Sequence, residues 1–160
     1  MGSGVIRLLS LQDPDVVEQI WSLQHIAYRL EALALGLTSY PPLRDTFDSI
    51  RNSEESFYGY LSDGPEDGEE LLGVISVSTD SSGSLSITRL MVHPQHLREG
   101  IGTALVQYVL DSRDDIRRFT VTAGTLNTPA VALYRKLGFM PGETMKSVAG
   151  VDLTLFHLNR

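Results

Sequence analysis

Apolar positions along the chain change period several times, and each change predicts an element. Val5 to Leu11 reads as a first strand. Asp13-Pro14 then opens a helix that runs through Trp21 towards Leu35, where Gly36 stops it. After Tyr40-Pro41-Pro42, the stretch from Leu43 to Arg51 is predicted helical because Leu43, Phe47 and Ile50 fall on one face. Phe57–Leu61 and Leu71–Ser78 have strand composition and are joined by an acidic, glycine-bearing loop from Asp63 to Glu70. The cluster Ser81-Ser82-Gly83-Ser84 reads as a turn into a strand from Leu85 to Val92. A helix from Gly100 to Asp111, a strand Phe119–Ala123, a helix opened at Asn127 and two final strands ending near Leu158 complete the series, without repeats.

This order contains a strand-helix-strand unit in which the Leu85 and Phe119 strands should run parallel, while strands joined by short turns should pair antiparallel. The expected fold is α/β (α+β), a mixed, mostly antiparallel sheet of about six to seven strands flanked by about four helices. With 160 residues, 42% of them hydrophobic, the chain has the length of one domain spanning residues 1–160.

Composition narrows the function. A net charge of -7 and no basic cluster larger than Arg117-Arg118 argue against a nucleic-acid partner. No apolar run approaches the length of a membrane span. Met1-Gly2-Ser3-Gly4 has neither the basic nor the apolar segment of a secretory signal and reads as a flexible, appended leader; Ile6 stands where a myristoylation signal needs Ser or Thr. The absence of cysteine excludes a disulfide framework, a thiolate metal site and a cysteine nucleophile, and fits a cytoplasmic protein.

Two motifs carry candidate chemistry. The first is Val92-His93-Pro94-Gln95-His96-Leu97-Arg98-Glu99-Gly100-Ile101-Gly102, leading into the helix pattern from Thr103 to Leu110. Glycines at 100 and 102 let the backbone approach an anion, and the helix start turns unpaired amides and the positive dipole end to the same place, so a pyrophosphate would fit. No lysine follows Gly102, which excludes a Walker loop, and Leu105 stands where a dinucleotide fingerprint needs its third glycine. A nicotinamide-binding domain is therefore disfavoured.

The second motif is Asn127-Thr128-Pro129-Ala130-Val131-Ala132-Leu133-Tyr134-Arg135-Lys136-Leu137-Gly138-Phe139. It reads as a short helix with Thr128 as N-cap, Pro129 in the first helical position and Gly138 left-handed at the other end. Ala130, Leu133, Tyr134 and Leu137 share one face. Together, the Val-His-Pro strand end, Gly100-x-Gly102, Asn127-x-x-Ala130 and Leu133-Tyr134-x-x-Leu137-Gly138-Phe139 resemble the GNAT superfamily of acetyl-CoA-dependent N-acetyltransferases, in order between about Ser84 and Met140.

The resemblance implies that the two parallel strands splay and that the pantetheine arm of coenzyme A lies between them as an added strand. It implies acetyl-CoA as cosubstrate, no metal, and transfer of the acetyl group to a primary amine by direct attack in a ternary complex. Tyr134 would supply or stabilise the thiolate proton. Backbone amides around Met91 and Val92 would polarise the acetyl carbonyl and hold the pantetheine. The amides of Arg98, Glu99, Gly100, Ile101, Gly102 and Thr103 would bind the pyrophosphate, and Asn127 and Ala130 would adjoin the cofactor. Each side chain also has a simpler reading: Tyr134 as core, Arg98 as a solvated loop residue, Asn127 as a helix cap.

The chain departs from the family pattern at two points. Leu97 occupies the position three residues before the first glycine where Gln or Arg is commonest, with Arg98 one step later. Many relatives carry a glutamate in the strand before Val-His-Pro, whereas Gly83 to Val92 contains no acidic residue and offers Ser86, Thr88 and Arg89. The amine proton would then leave through water, or with help from Glu31 in the first helix, although an exposed helix residue is the stronger reading of that glutamate. That gap motivates an alternative function, a coenzyme A-binding sensor or interaction module with little catalysis.

His93 and His96 flank Pro94 without a third ligand, which disfavours metal binding. No Gly-x-Ser-x-Gly elbow supports hydrolase chemistry. Tyr28, Tyr40, Phe57, Tyr58 and Arg89 are candidate acceptor-pocket residues, each with a core or surface reading. The acceptor stays open between a small molecule and a peptide or protein amine. Exposed edges of the sheet make a homodimer an expectation.

Overall fold

The structure, a computed structural model, describes residues 4–34, 46–62, 70–147 and 150–160. In chain order the elements are β1 (Gly4–Leu8), α1 (Pro14–Ala34), α2 (Phe47–Arg51), β2 (Ser56–Ser62), β3 (Leu71–Thr79), β4 (Ser84–Val92), a 3-10 turn (Pro94–His96), α3 (Ile101–Ser112), β5 (Arg118–Gly124), α4 (Thr128–Lys136), β6 (Met140–Lys146) and β7 (Asp152–Asn159). The strands form one seven-stranded sheet in the order β1-β2-β3-β4-β5-β7-β6, antiparallel everywhere except between β4 and β5. The expected parallel pair is therefore found, with Leu85 opposite Phe119.

The helices cover both faces. Val17, Ile20 and Leu23 of α1 and Ile50 of α2 pack with Phe57, Leu61, Leu71, Val74 and Met91 on one side. On the other, Ile101, Leu105, Val106 and Val109 of α3 and Tyr134 of α4 pack with Ile75, Val77, Leu85, Ile87, Phe119, Val121 and Phe156. β3 is buried on both faces from Leu71 to Val77, which is why its sequence reads as an apolar run rather than an alternation.

Local chemistry sets the helix ends. Asp13 precedes Pro14 as a cap, its carboxylate accepting from the Asp15 amide at 3.0 Å and its carbonyl from Val17 at 3.2 Å. Thr46 and Ser49 form a reciprocal capping box on α2, with side chain to backbone distances of 3.1 and 2.8 Å. This starts α2 at Phe47, later than expected from Leu43, which lies outside the described residues. So do Leu35, Gly36, the Tyr40-Pro41-Pro42 punctuation and most of the loop from Asp63.

Three further expectations change. β1 ends at Leu8 rather than Leu11: Leu9 adds one more bond to the neighbouring strand, its amide donating to the Phe57 carbonyl at 2.8 Å, and the chain then turns, the Asp13 amide donating to the Ser10 carbonyl at 3.3 Å. Gly4, read as part of a flexible leader, is paired with Ser62 in β1, while residues 1–3 lie outside the described set. Asn127, not Thr128, caps α4; its side chain is the one that reaches back to the Ala130 amide, at 3.4 Å, and Thr128 becomes the first helical residue. Gly138 is left-handed as expected, with φ of 99°. The serine cluster turns around Asp80, whose carboxylate accepts from the Ser82 and Ser84 amides.

Candidate active site

β4 and β5 pair only from Ser84 opposite Arg118 to Ile87 opposite Val121, although β4 continues to Val92 and β5 to Gly124. Beyond Ile87 the two strands part, as the resemblance implied. The β5-facing edge of β4 from Thr88 onward then has no ladder partner among the described strands, leaving main-chain donors and acceptors for an extended, amide-bearing ligand.

A cavity of about 380 Å³ occupies the gap. Its walls are Ile87 to Met91 of β4, Val121 to Ala123 of β5, Asn127, Ala130 and Tyr134 at α4, Gln24, Ala27 and Tyr28 of α1, and Glu55 from the segment before β2. It thus passes through the sheet, with α1 at one mouth and α4 at the other.

The splay coincides with a bulge. Ser76 faces Arg89 and Val77 faces Ile87, so Thr88 is an extra residue in β4. The inserted residue reverses the alternation: Leu85 and Ile87 point to the α3 side before it, Leu90 and Val92 after it. Thr88 and Arg89 consequently reach the same carboxylate. The Thr88 hydroxyl donates to Glu55 Oε1 at 2.9 Å, and Arg89 Nη1 donates to the same oxygen at 2.5 Å. Arg89 is held further by Gln24 Oε1 at 3.1 Å and Ser76 Oγ at 3.2 Å, and its guanidinium lies 5.1 Å over the Phe57 ring.

Tyr134 is only 4% exposed, yet it lines the cavity. Its ring meets Phe139 edge-on at 5.7 Å and Phe156 at 6.0 Å, so it is a core residue that also forms part of the cavity wall. Tyr28 and Arg89 also line the cavity, and Phe57 supports Arg89 from below. Tyr58 does not belong to it: it points to the other face of β2 and packs against Tyr108 at 5.5 Å. Tyr40 lies outside the described residues, and the side chain of Glu31 is likewise not described.

The anion loop sits past the carboxyl end of β4, beyond the cavity lining. Gly100 is left-handed, with φ of 81°, and its carbonyl takes the first helical bond from Ala104 at 2.9 Å. The amides of Ile101, Gly102 and Thr103 therefore have no helical acceptor, and no side chain caps them. Gly102 plays a further part beyond the one expected. It is buried, and a Cβ there would stand 3.1 Å from Leu133 Cδ1, so its bare Cα serves the approach of α3 to α4, while its amide stays unpaired at the helix start. Arg98 is exposed and left-handed, with φ of 66°, and Glu99 pairs with His96 Nδ1 at 3.1 Å. His93 caps the 3-10 turn, accepting from the Gln95 amide at 3.2 Å. Among the described residues no group of three or more potential metal ligands gathers, and no described helix is long and apolar enough to cross a membrane.

Sequence reasoning missed Glu55. It was passed over because an acid two residues before Phe57 reads as an ordinary solvated position; only the pairing of β2 with β3 and the bulge in β4 bring it to the gap.

This geometry defines a class: a mixed sheet parted at its parallel pair, with a helix start of uncapped amides past the end of one parted strand. A sequence model described as the acetyltransferase (GNAT) family matches residues 18–139. The UPF0157 protein YqkA of Bacillus subtilis (strain 168) is 37% identical over 154 residues, 96% of this chain and 43% of its own length. N-acetyltransferase family 8 member 2 of Rattus norvegicus is 31% identical over 125 residues, covering 72% of this chain and 53% of its own. The chain thus spans about half the length of the curated relatives it matches. Among solved structures, the ribosomal-protein-S18-alanine N-acetyltransferase of Escherichia coli superposes with a TM-score of 0.73 at 16% identity, covering 98% of this chain and 94% of that one. The acetyltransferase yncA of Salmonella typhimurium, solved with its cofactor acetyl-CoA, gives 0.68 at 17% identity over 98% and 94% of the two chains. The chain belongs to the acetyltransferase (GNAT) family and carries its acyltransferase domain.

Proposed function

We propose that the domain transfers the acetyl group of acetyl-CoA to a primary amine by direct attack within a ternary complex. The observation that carries this reading is the parting of β4 and β5 after Ile87, with the open main-chain edge of β4 on one side and Tyr134 on the other. Acetyl-CoA, when bound, supplies a thioester carbonyl open to attack. The residues present suit it: an unpaired strand edge for the amides of pantetheine, and three unpaired amides at the start of α3 for the pyrophosphate.

In this reading the main chain at Met91 and Val92 holds the pantetheine and polarises the acetyl carbonyl, which needs donors as charge gathers on its oxygen. The amides from Arg98 to Thr103 take the pyrophosphate. Asn127 and Ala130 form the wall beside the cofactor, and Tyr134 stabilises the departing sulfur with its hydroxyl. The acceptor enters from the α1 mouth, where Gln24, Tyr28 and Arg89 lie. The E. coli neighbour is named for a protein amine, so a peptide acceptor stands beside a small-molecule one. A cytoplasmic location suits this cosubstrate and the cysteine-free chain. The sensor alternative rests on the lack of an acid in β4; Glu55 on the cavity wall supports the enzyme reading instead.

The test is thiol release from acetyl-CoA with spermidine, tyramine, glycinamide and an alanyl peptide, beside thermal melts with coenzyme A. Acceptor-dependent release with a raised melting temperature is expected. Stabilisation without release by any amine would favour the sensor, and neither effect would refute the site.

A further inference from the structure

Glu55 is the one acidic residue on the cavity wall among the described residues. β4 carries no acidic residue, yet a carboxylate reaches the gap from a separate segment, immediately before β2. Both of its hydrogen bonds from side chains, from Thr88 and Arg89, arrive at Oε1. Oε2 has no partner among the described residues. The carboxylate is about a quarter exposed, at 27% for its side chain, on the cavity wall at the α1 mouth. The bulge at Thr88 brings Thr88 and Arg89 together on one oxygen, which orients the group and leaves the other oxygen for a ligand.

We infer that Glu55 binds the acceptor's ammonium and takes its proton, replacing the missing strand acid from a different place in the chain. The inference rests on the acetyl-transfer reading above. In this step R–NH3+ gives one proton to the Glu55 carboxylate, directly or through one water. The freed nitrogen pair forms the C–N bond, and the C–S pair leaves with sulfur. The nitrogen loses a second proton as the sulfur gains one, and Glu55 returns its proton to solvent, so one proton is released per turnover.

Arg89 is a positioning residue in this arrangement. Its guanidinium is occupied by Glu55, Gln24, Ser76 and the Phe57 ring, and it fixes the carboxylate rather than meeting the acceptor. Among the described residues, the titratable and charged groups around Glu55 are Arg89 on β4, Tyr28 on α1 and Tyr134 on α4 across the cavity, with Glu54 and Arg113 lining a neighbouring polar cleft.

The experiment compares Glu55→Gln with wild type on the same four acceptors from pH 6 to 10. The amide keeps an oxygen for Thr88 and Arg89 but carries no charge. The expected result is a fall in kcat/KM of about 10- to 1,000-fold at pH 7 that shrinks towards the amine's own pKa, where neutral amine needs no base, with coenzyme A affinity unchanged. A kcat/KM within twofold of wild type, or a loss of equal size at every pH, would overturn the inference. Should Glu55→Gln fail to fold, Glu55→Ala is assayed in formate: return of turnover in formate but not in chloride of equal ionic strength supports the role, and no return refutes it. Wild-type protein that releases thiol with none of the four amines would instead refute the acetyl-transfer reading beneath it.

Discussion

Replacing Tyr134 by phenylalanine separates its packing from the proposed contact with the departing sulfur, because the two fall on different atoms. The ring belongs to the core, against Phe139 at 5.7 Å and Phe156 at 6.0 Å, and Phe keeps those contacts. Losing one hydroxyl costs the fold about 0.5–1.5 kcal/mol, the net worth of one hydrogen bond. In a domain of this size that is a shift in Tm of roughly 2–6 °C. The catalytic cost is set by the leaving group. In the proposed role the hydroxyl meets the departing sulfur as a hydrogen-bond donor, one of several sources from which the sulfur can gain its proton. The loss should therefore fall at the low end of general-acid effects, about 100-fold in kcat, or about 2.7 kcal/mol. Tyr134→Ala would confuse the two, since emptying the ring site costs about 3–5 kcal/mol of stability. Thiol release gives kcat and KM, and calorimetry gives coenzyme A affinity. A kcat within twofold of wild type in Tyr134→Phe, or a loss carried wholly by coenzyme A affinity, would refute the assignment.

Other substitutions test single features of the site. Gly100→Ala meets no atom within 4 Å but must adopt φ near 81°, so it should cost about 1–2 kcal/mol and lower the urea midpoint at constant slope. Gly102→Val puts methyl groups where Leu133 Cδ1 already stands 3.1 Å from the Cβ position, and should cost about 1–3 kcal/mol; Leu133→Ala in the same chain should recover part of it in a double-mutant cycle. Arg98→Gly relieves a left-handed arginine, so stability should hold, while coenzyme A affinity falls about tenfold if the guanidinium meets the pyrophosphate. Unchanged affinity would make Arg98 a solvated loop residue. Asp80 should titrate below the ordinary 3.8 in an NMR series, because the Ser82 hydroxyl and the Ser84 and Ser82 amides favour its charged form. Its contribution to stability is complete above 3.8 and is lost as pH falls through the lower native value; a native value at or above 3.8 would contradict the turn geometry.

Elements whose signals are local were legible in the sequence. Pro14 behind Asp13, the apolar run from Leu71, the parallel pairing implied by a helix between Leu85 and Phe119, and the glycine closing α4 all follow from nearest neighbours along the chain. The cap of α4 was misplaced by one residue because Asn127 and Thr128 are both good cap formers and only side-chain direction decides between them. Gly102 was legible as a special position, but its packing reason was not, since the neighbour it must admit, Leu133, is 31 residues away. Tyr58 and Phe57 looked equivalent as pocket aromatics, and the alternation of a strand sends only one of them to the α1 face. Glu55 was invisible for the same reason at longer range: its partners lie 33 and 34 residues on, across two strands.

The bulge at Thr88 ties these observations together. Were Thr88 to take an ordinary place in the ladder instead of bulging, Leu90 and Val92 would turn to the α1 face and Met91 and Arg89 to the α3 face, and the strand would bury its arginine against the larger core. The insertion avoids that cost, around which β4 bends away from β5 immediately after their last pair, Ile87 with Val121. One residue thus parts the strands for the cofactor and sets the side-chain pair that orients Glu55. A chain lacking an acid in β4 can then take one from the segment before β2, because the bulged strand already presents a hydroxyl and a guanidinium to receive it. On this argument the bulge comes first and the carboxylate second: deleting Thr88 should abolish both cofactor binding and turnover, whereas changing Glu55 should spare the binding.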